Sequence, residues 1–482
     1  MARKVLDSYE LSVNEIVIDV SIYSDENETV PIYTISITNI SETTKIILEK
    51  IREEFVTQET KVLEEGTLEA SAIQTHFKEG VLVLLKKYFP TANKKTMDML
   101  INYVLQQNIG LGNLEILLKD PRLEEIVVNN AKDVVWVYHR KYGWLKTNIK
   151  IPDENRIRYY STIIGRDVGK EITMLSPLMD AHLKTGDRVN ATLSPISSKG
   201  NTLTIRKFAV RPWTITDFIK EKTISYEAAA LLWMAVQNEL SVIIAGGTAS
   251  GKTSMLNGLA NFFPPNQRIL SLEDTRELML PKILHWVPLE TRLPNPEGKG
   301  GITMFDLVVN SLRMRPDRVL VGEIRKRAEA EVLFEAMHTG HSVYGTLHAN
   351  NVRETVNRLT EPPIGLPKQI LSALSLVVVQ HINRKNGKRR TLQIGEIMHD
   401  GNAKPIMQLN IVKDKLERIS EPTAIYETLK LYTGLSKEDV EKDMNEKVDI
   451  LNWMVKNNII DIHKIGLIMS KYYQKKSFKN VA

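Results

Sequence analysis

The chain has no cysteine among its 482 residues. That removes disulfides, thiol nucleophiles and Cys-ligated zinc together, and it is compatible with a reducing compartment. Long apolar runs are also missing. "AAALLWMAV" and "ILSALSLVVVQ" fall well short of the roughly 18 to 20 residues needed to cross a bilayer. The opening stretch "MARKVLDSYELSVNE" lacks the apolar core of a signal peptide, so neither insertion nor export is expected. Charge of one sign is scarce: 64 Lys and Arg stand against 58 Asp and Glu, a net +6. So small an excess does not by itself argue for nucleic acid or an acidic membrane face. No stripe of aromatic and basic residues for stacking bases lies outside the core, so a nucleic-acid partner is not expected. With 43% hydrophobic and 25% charged residues the composition is that of an ordinary globular protein, and the length suits two or three domains.

Residues 1–68 read as a small α/β extension, in which "EIVIDVSIY" and "PIYTISITNI" flank the turn "SDENET" and lead into a helical stretch to about Glu65. Residues 69–115 carry apolar residues at helical spacing, Val81, Leu84, Leu85 and Tyr88, then Met97, Leu100, Ile101 and Val104, interrupted at Pro90. Short strands dominate 116–210, with a helix near 153–165, which suits an α/β domain. Pro212 in "RPWT" breaks the pattern and places a linker at 211–224. From 225 to 415 helical and buried-strand signals alternate, the pattern of a parallel α/β sheet. Thr303 and Asp306 form a capping box there, and Asn386-Gly387 marks a hairpin. Residues 416–482 read as a helical C-terminal region, with Ser436 and Asp439 as a capping box and Val440, Met444, Val448 and Leu451 on one stripe.

The chemistry concentrates in "SVIIAGGTASGKTSML", residues 241–256. Gly246, Gly247, Thr248, Ala249, Ser250, Gly251, Lys252 and Thr253 fit G-x-x-x-x-G-K-[ST] with a strand before and a helix after. In that setting backbone N–H groups turn inward around phosphates and Lys252 reaches the β- and γ-phosphates. The Thr253 hydroxyl can ligate Mg²⁺, and the helix start adds its positive end. No N-K-x-D guanine-reading motif is present, so ATP is preferred over GTP. In an open parallel sheet ligands gather at the carboxyl ends of the strands. Three polar signals fall at such ends: Glu273 with Asp274 after "ILSL", Glu323 after "VLVG" and His348 after "YGTL". Hydrolysis needs support for the metal and a group that orients or deprotonates the attacking water. Each residue alone reads equally well as a cap or a surface group; together with the glycine loop they read as a site. His341 and His348, seven residues apart without a third ligand, make poor zinc geometry, which leaves His348 as a sensor of a proton or the γ-phosphate.

In this order the motifs resemble the type II/type IV secretion superfamily of hexameric ATPases, which serve pili, secretion and the archaeal swimming filament. They are the Walker A loop "GGTASGKT", an acidic box "LEDTREL", a Walker B strand "RMRPDRVLVGEIR" ending in Gly-Glu rather than Asp, and a histidine box "GHSVYGTLHAN". "KTGDRVNATLSPISSKGNTLTIRKF" is similar to the domain before the family's motor core; "HWVPLETR" and the helical tail are similar to the archaeal branch. The resemblance covers about 116–400. It implies an α/β fold, a RecA-like P-loop motor core preceded by a smaller α/β N-terminal domain, with a helical C-terminal tail. It also implies ATP and Mg²⁺, the metal supported through Thr253 and Glu323, with Glu273 and Glu323 sharing metal support and water activation. Arg188 and Arg206 correspond to arginines that the N-terminal domain brings toward the phosphates. The implied assembly is a cytoplasmic homohexamer at the inner face of the cell membrane, acting on a polytopic membrane platform protein and filament or pilin machinery. Lys326-Arg327 stand after "VGEIR" where many members have glycine, which looks more like the adhesive-pilus ATPases than the archaellum motor. Three functions compete: a motor for filament assembly or secretion, a nucleic-acid translocase, and a scaffold that binds ATP without turning it over. Intact Lys252, Glu323 and His348 argue against the scaffold, and the missing stacking stripe argues against the translocase.

Overall fold

The computed structural model describes residues 3–479 apart from 14, 60–69, 109, 184, 209–210, 293, 295–297 and 385. The expected helix end near Glu65 and the boundary at 68 lie outside those residues. The chain divides into two compact units, residues 1–210 and 211–482.

The N-terminal unit contains β1 (Lys4–Val13), β2 (Ile16–Ser24), β3 (Ile32–Ile37), β4 (Leu123–Val128), β5 (Val134–His139), β6 (Gly143–Lys150), β7 (Leu178–His182), β8 (Arg188–Thr192) and β9 (Thr202–Arg206). They form one sheet in the order β1-β2-β3-β6-β5-β4-β9-β8-β7. The strands of the expected 1–68 extension, β1 to β3, therefore share a sheet with those of 116–210. β3 pairs in parallel with β6 through Ile32 and Tyr33, and the phenols of Tyr9 and Tyr33 both donate to the buried Asp120 carboxylate. Pairing between strands so distant in the chain leaves no local pattern to read. Helices Glu42–Glu59, Ala70–Tyr88 and Lys94–Asn108 bury Leu48, Val81, Leu85, Leu100, Ile101 and Val104 in a core of their own.

The second unit holds β10 (Val242–Gly246), β11 (Arg268–Glu273), β12 (His285–Glu290), β13 (Arg318–Val321), β14 (Ser342–Leu347), β15 (Leu376–Ile382), β16 (Arg389–Ile397), β17 (Ala403–Asn410) and β18 (Lys415–Arg418). Their order is β12-β11-β13-β14-β10-β15-β16-β17-β18. The pairs from β12 to β15 are parallel and those from β15 to β18 antiparallel, with the Asn386-Gly387 hairpin joining β15 to β16. β10, β13 and β14 are buried along their whole length, as expected of parallel strands covered on both faces. Alternation sorts their side chains between two cores. Val242 and Ile244 join helices Tyr226–Gln237 and Lys252–Ala260, whereas Ile243 and Ala245 join Met304–Leu312, Arg327–His338 and Val352–Thr360. The C-terminal helices Thr423–Thr433, Lys437–Lys456 and Ile462–Lys479 also contribute to the first core, where the Trp233 indole N–H donates to Tyr473 Oη.

The stretch 211–224, which the sequence suggests is a linker, contains the helix Ile215–Lys220 with Ile215, Phe218 and Ile219 buried. Arg211 pairs through both Nη atoms with Asp217, and the Thr216 hydroxyl donates to the Ile459 carbonyl. Pro212 ends one pattern, but Thr214 and Asp217 form a capping box that starts another. Among the described residues no helix is long and apolar enough to cross a membrane.

Candidate functional site

The neighbours β11, β13, β14 and β10 run parallel, so their carboxyl ends lie side by side. The glycine loop leaves β10 there. A Cβ on Gly246 would lie 2.6 Å from the Gln380 carbonyl oxygen, so only glycine fits. Gly251 takes a left-handed φ of 93° at the N-cap of Lys252–Ala260, and Ala249 is left-handed as well. Gly247 O accepts from Ser250 Oγ at 2.8 Å and from Lys252 Nζ at 3.0 Å, and Ala249 O accepts from Arg389 Nε at 3.0 Å. Burial pushes the Lys252 ammonium pKa down against the pull of Glu323 and Glu277. Thr253 follows in the first helical turn, half-buried.

Glu323 lies just beyond β13. Its Oε2 accepts from Arg325 Nη2 at 2.7 Å, its Oε1 lies 3.3 Å from His348 Nε2, and Arg325 Nη1 donates to Asp274 Oδ2 at 2.6 Å. Burial opposes ionisation of Glu323, but the hydrogen bond and charge of Arg325, with the charges of His348 and Lys252, hold its carboxyl below the usual range. Burial pushes the His348 pKa down, with Lys252 adding to the effect and Glu323 opposing it. Gly246, Gly247, Thr248, His348, Asn350, Glu354 and Arg358 line a cleft of about 280 Å³.

Glu273 behaves differently from Glu323, though both end neighbouring strands. It is 1% exposed, and its Oε1 accepts from the backbone N–H groups of Glu277 at 2.8 Å and Leu278 at 2.9 Å. Burial raises its carboxyl to about 7 despite those bonds. Through those bonds its carboxyl group also holds the turn after β11. Arg188 and Arg206 belong to the N-terminal unit, directly opposite each other on β8 and β9. Arg188 donates to Asp180 through Nε at 3.1 Å and Nη2 at 2.7 Å.

Arg325, Asn350, Glu354 and Arg358 also stand at the site, beyond the residues expected from the sequence. Glu354 and Arg358 had a usable signal, since spacing by four within the helix Val352–Thr360 puts them on one face. Glu354 accepts from the Asn350 backbone and amide nitrogens, and Arg358 lowers the His348 pKa by its charge.

Residues 108–456 match the family model of type II/IV secretion system proteins. An uncharacterized protein of Methanocaldococcus jannaschii is 36% identical over 386 residues, covering 77% of this chain and 69% of the relative. A putative conjugal transfer protein of Mycobacterium tuberculosis is 34% identical over 303 residues, 60% of this chain and 85% of the relative. Among solved structures, the VirB11 ATPase of the Brucella suis type IV secretion system is 25% identical with a TM-score of 0.31, covering 60% of this chain and 96% of that one. The family match spans most of the chain and contains the phosphate loop, Glu323 and His348: the chain belongs to the type II/IV secretion system protein family.

Proposed function

We propose that the chain is an ATP-hydrolysing motor subunit that drives secretion, or assembly of a pilus-like filament, from the cytoplasmic side of a membrane. The observation supporting this most strongly is the meeting of Glu323 and His348 at 3.3 Å beside the cleft that His348 shares with the phosphate loop. Lys252 and the loop N–H groups bind the triphosphate. Glu323, kept ionised by Arg325, takes a proton from the attacking water, and His348 senses the terminal phosphate.

The donor set suits Mg²⁺. The Thr253 hydroxyl and the Glu323 carboxylate offer oxygen, the donor type that Mg²⁺ takes. Mg²⁺ usually retains waters and leans on substrate phosphates, so one or two protein oxygens suffice. When bound, the ion would neutralise phosphate charge. Arg188 and Arg206 serve as guanidiniums delivered to the phosphates as the N-terminal unit moves, within a homohexamer that acts on a membrane platform protein. The likeness to a putative conjugal transfer protein supports a role in transfer, and Lys326-Arg327 favour an adhesive pilus over an archaellum.

The test is steady-state hydrolysis by the full chain. Glu323→Gln should retain binding of a fluorescent ATP analogue while turnover falls about a hundredfold, because an amide cannot take the proton. Unchanged turnover would remove Glu323 from the chemistry.

A further inference from the structure

Arg325 spans the carboxyl ends of two neighbouring strands. Its Nη1 donates to Asp274 after β11 and its Nη2 to Glu323 after β13, at 2.6 and 2.7 Å, and β11 and β13 pair directly in parallel. Asp274 is itself tethered, since its Oδ1 accepts from the Thr291 hydroxyl at 3.2 Å just past β12. The sheet thus brings two carboxylates side by side, and one guanidinium sits between them. A lysine could not fill that position equally well, because a planar fork holds two acceptors in fixed directions whereas an ammonium is a point charge.

The two oxygens of Glu323 consequently have different surroundings. Oε2 is held by Arg325, and Oε1 lies toward His348, which lines the cleft with Gly246, Gly247 and Thr248. The terminal torsion of a glutamate is broad and roughly two-fold, so an unheld carboxylate samples many planes. We infer that Arg325 is the positioning residue that fixes the Glu323 carboxylate plane and aims Oε1 at the reacting water, with Asp274 anchoring the guanidinium. This rests on the ATP-hydrolysing role proposed above. A partly exposed ion pair contributes little to stability, so the bridge should matter through geometry, and its removal should leave the fold intact.

The experiment compares the full-length unaltered chain with Arg325→Ala, Arg325→Lys, Glu323→Gln and the Glu323→Gln/Arg325→Ala double variant, measuring ATP turnover and binding of a fluorescent ATP analogue. Arg325→Ala should lower kcat by about 10- to 100-fold, the usual effect of removing a partner that orients a catalytic group. KM and analogue affinity should stay within about twofold, since only the reacting water is misplaced. Arg325→Lys should recover part of the loss by holding one carboxylate. In the Glu323→Gln background, Arg325→Ala should add almost nothing, because it acts through the group already removed. Normal kcat in Arg325→Ala, or a full additional loss in the double variant, would overturn the inference while leaving the ATPase reading in place. Normal turnover by Glu323→Gln would overturn that reading, and the inference with it.

Discussion

Lys252 rests on a carbonyl of its own loop, its ammonium 3.0 Å from Gly247 O. A phosphate oxygen that takes the place of that carbonyl gains a charge-assisted bond from a cation already held in position. Lys252→Ala should weaken binding of a fluorescent ATP analogue by about a hundredfold or more, counting one or two such bonds; unchanged affinity would remove the loop from the mechanism. Glu273 leads to a different expectation, about stability. Its carboxyl is raised from 4.5 to about 7, so the folded chain keeps a proton there that the unfolded chain has released. The stability it contributes is fully present below pH 4.5 and is lost as pH rises through about 7. Glu273→Gln should abolish that dependence. In paired urea titrations at pH 5 and pH 8, the unaltered chain should lose up to about 3 kcal/mol relative to the variant; a constant difference would mean that Glu273 titrates normally. The glycine loop, Glu323 and His348 were legible because each sits in a short motif beside an apolar strand. Arg325 was legible as a residue but not as a bridge, since its second partner, Asp274, is far away in sequence and only the β11–β13 pairing brings it near. The inward turn of Glu273 was illegible for a different reason, since its partners are near in sequence but are backbone groups. Backbone N–H groups from the next turn, rather than any side-chain pattern, capture its carboxylate.

Among elements, the helix Ile215–Lys220 shows where local punctuation misleads. Pro212 signals a break, yet the residues after it are apolar at helical spacing and bury against the helix that follows the phosphate loop. The contact depends on a glycine: a Cβ on Gly258 would lie 2.8 Å from the Phe218 ring. Gly258→Ala should therefore destabilise the second unit by about 1–3 kcal/mol through overpacking, despite the helix preference for alanine. A lowered midpoint in thermal melts, relieved by Phe218→Leu, would identify the clash; a stabilised variant would mean that the two helices separate freely. The region 416–482, expected to be helical, opens on the end of strand β18 (Lys415–Arg418) before its helices begin. The capping boxes at Thr303 and Ser436 open the helices expected of them, and Val440, Met444 and Leu451 are buried on one stripe. Hydrophobic period and capping are local properties and can be read in sequence. The joining of β3 to β6 is not local, and neither is the packing of the C-terminal helices against Tyr226–Gln237.

For the whole molecule, the question is what couples one site to the next. Arg188 and Arg206 face solvent at opposing positions on β8 and β9, and their mutual repulsion is offset by acids: Asp180 pairs with Arg188, and Glu125 is the register partner of Arg206 on β4. Of the two arginines proposed to reach the phosphates, Arg188 would first have to leave a pair it holds through two donors, so substituting Arg206 is the sharper test of a guanidinium that stabilises charge on a transferring phosphate. Such arginines contribute on the order of 10³- to 10⁵-fold where they operate. Arg206→Ala should accordingly bind the ATP analogue nearly as the unaltered chain does but hydrolyse ATP slowly. If subunits act together in a ring, turnover should also rise more than linearly with protein concentration as rings assemble. Mixing tests the coupling directly. Arg206→Ala is titrated into unaltered protein at constant total concentration, subunits are allowed to exchange, and the rate is recorded against the unaltered fraction. Where one altered subunit stalls its neighbours, activity falls faster than that fraction, and an equal mixture retains well below half the rate. A straight proportional line would mean that each site works alone, and a chain with independent sites could hydrolyse ATP without being a rotary or translocating motor.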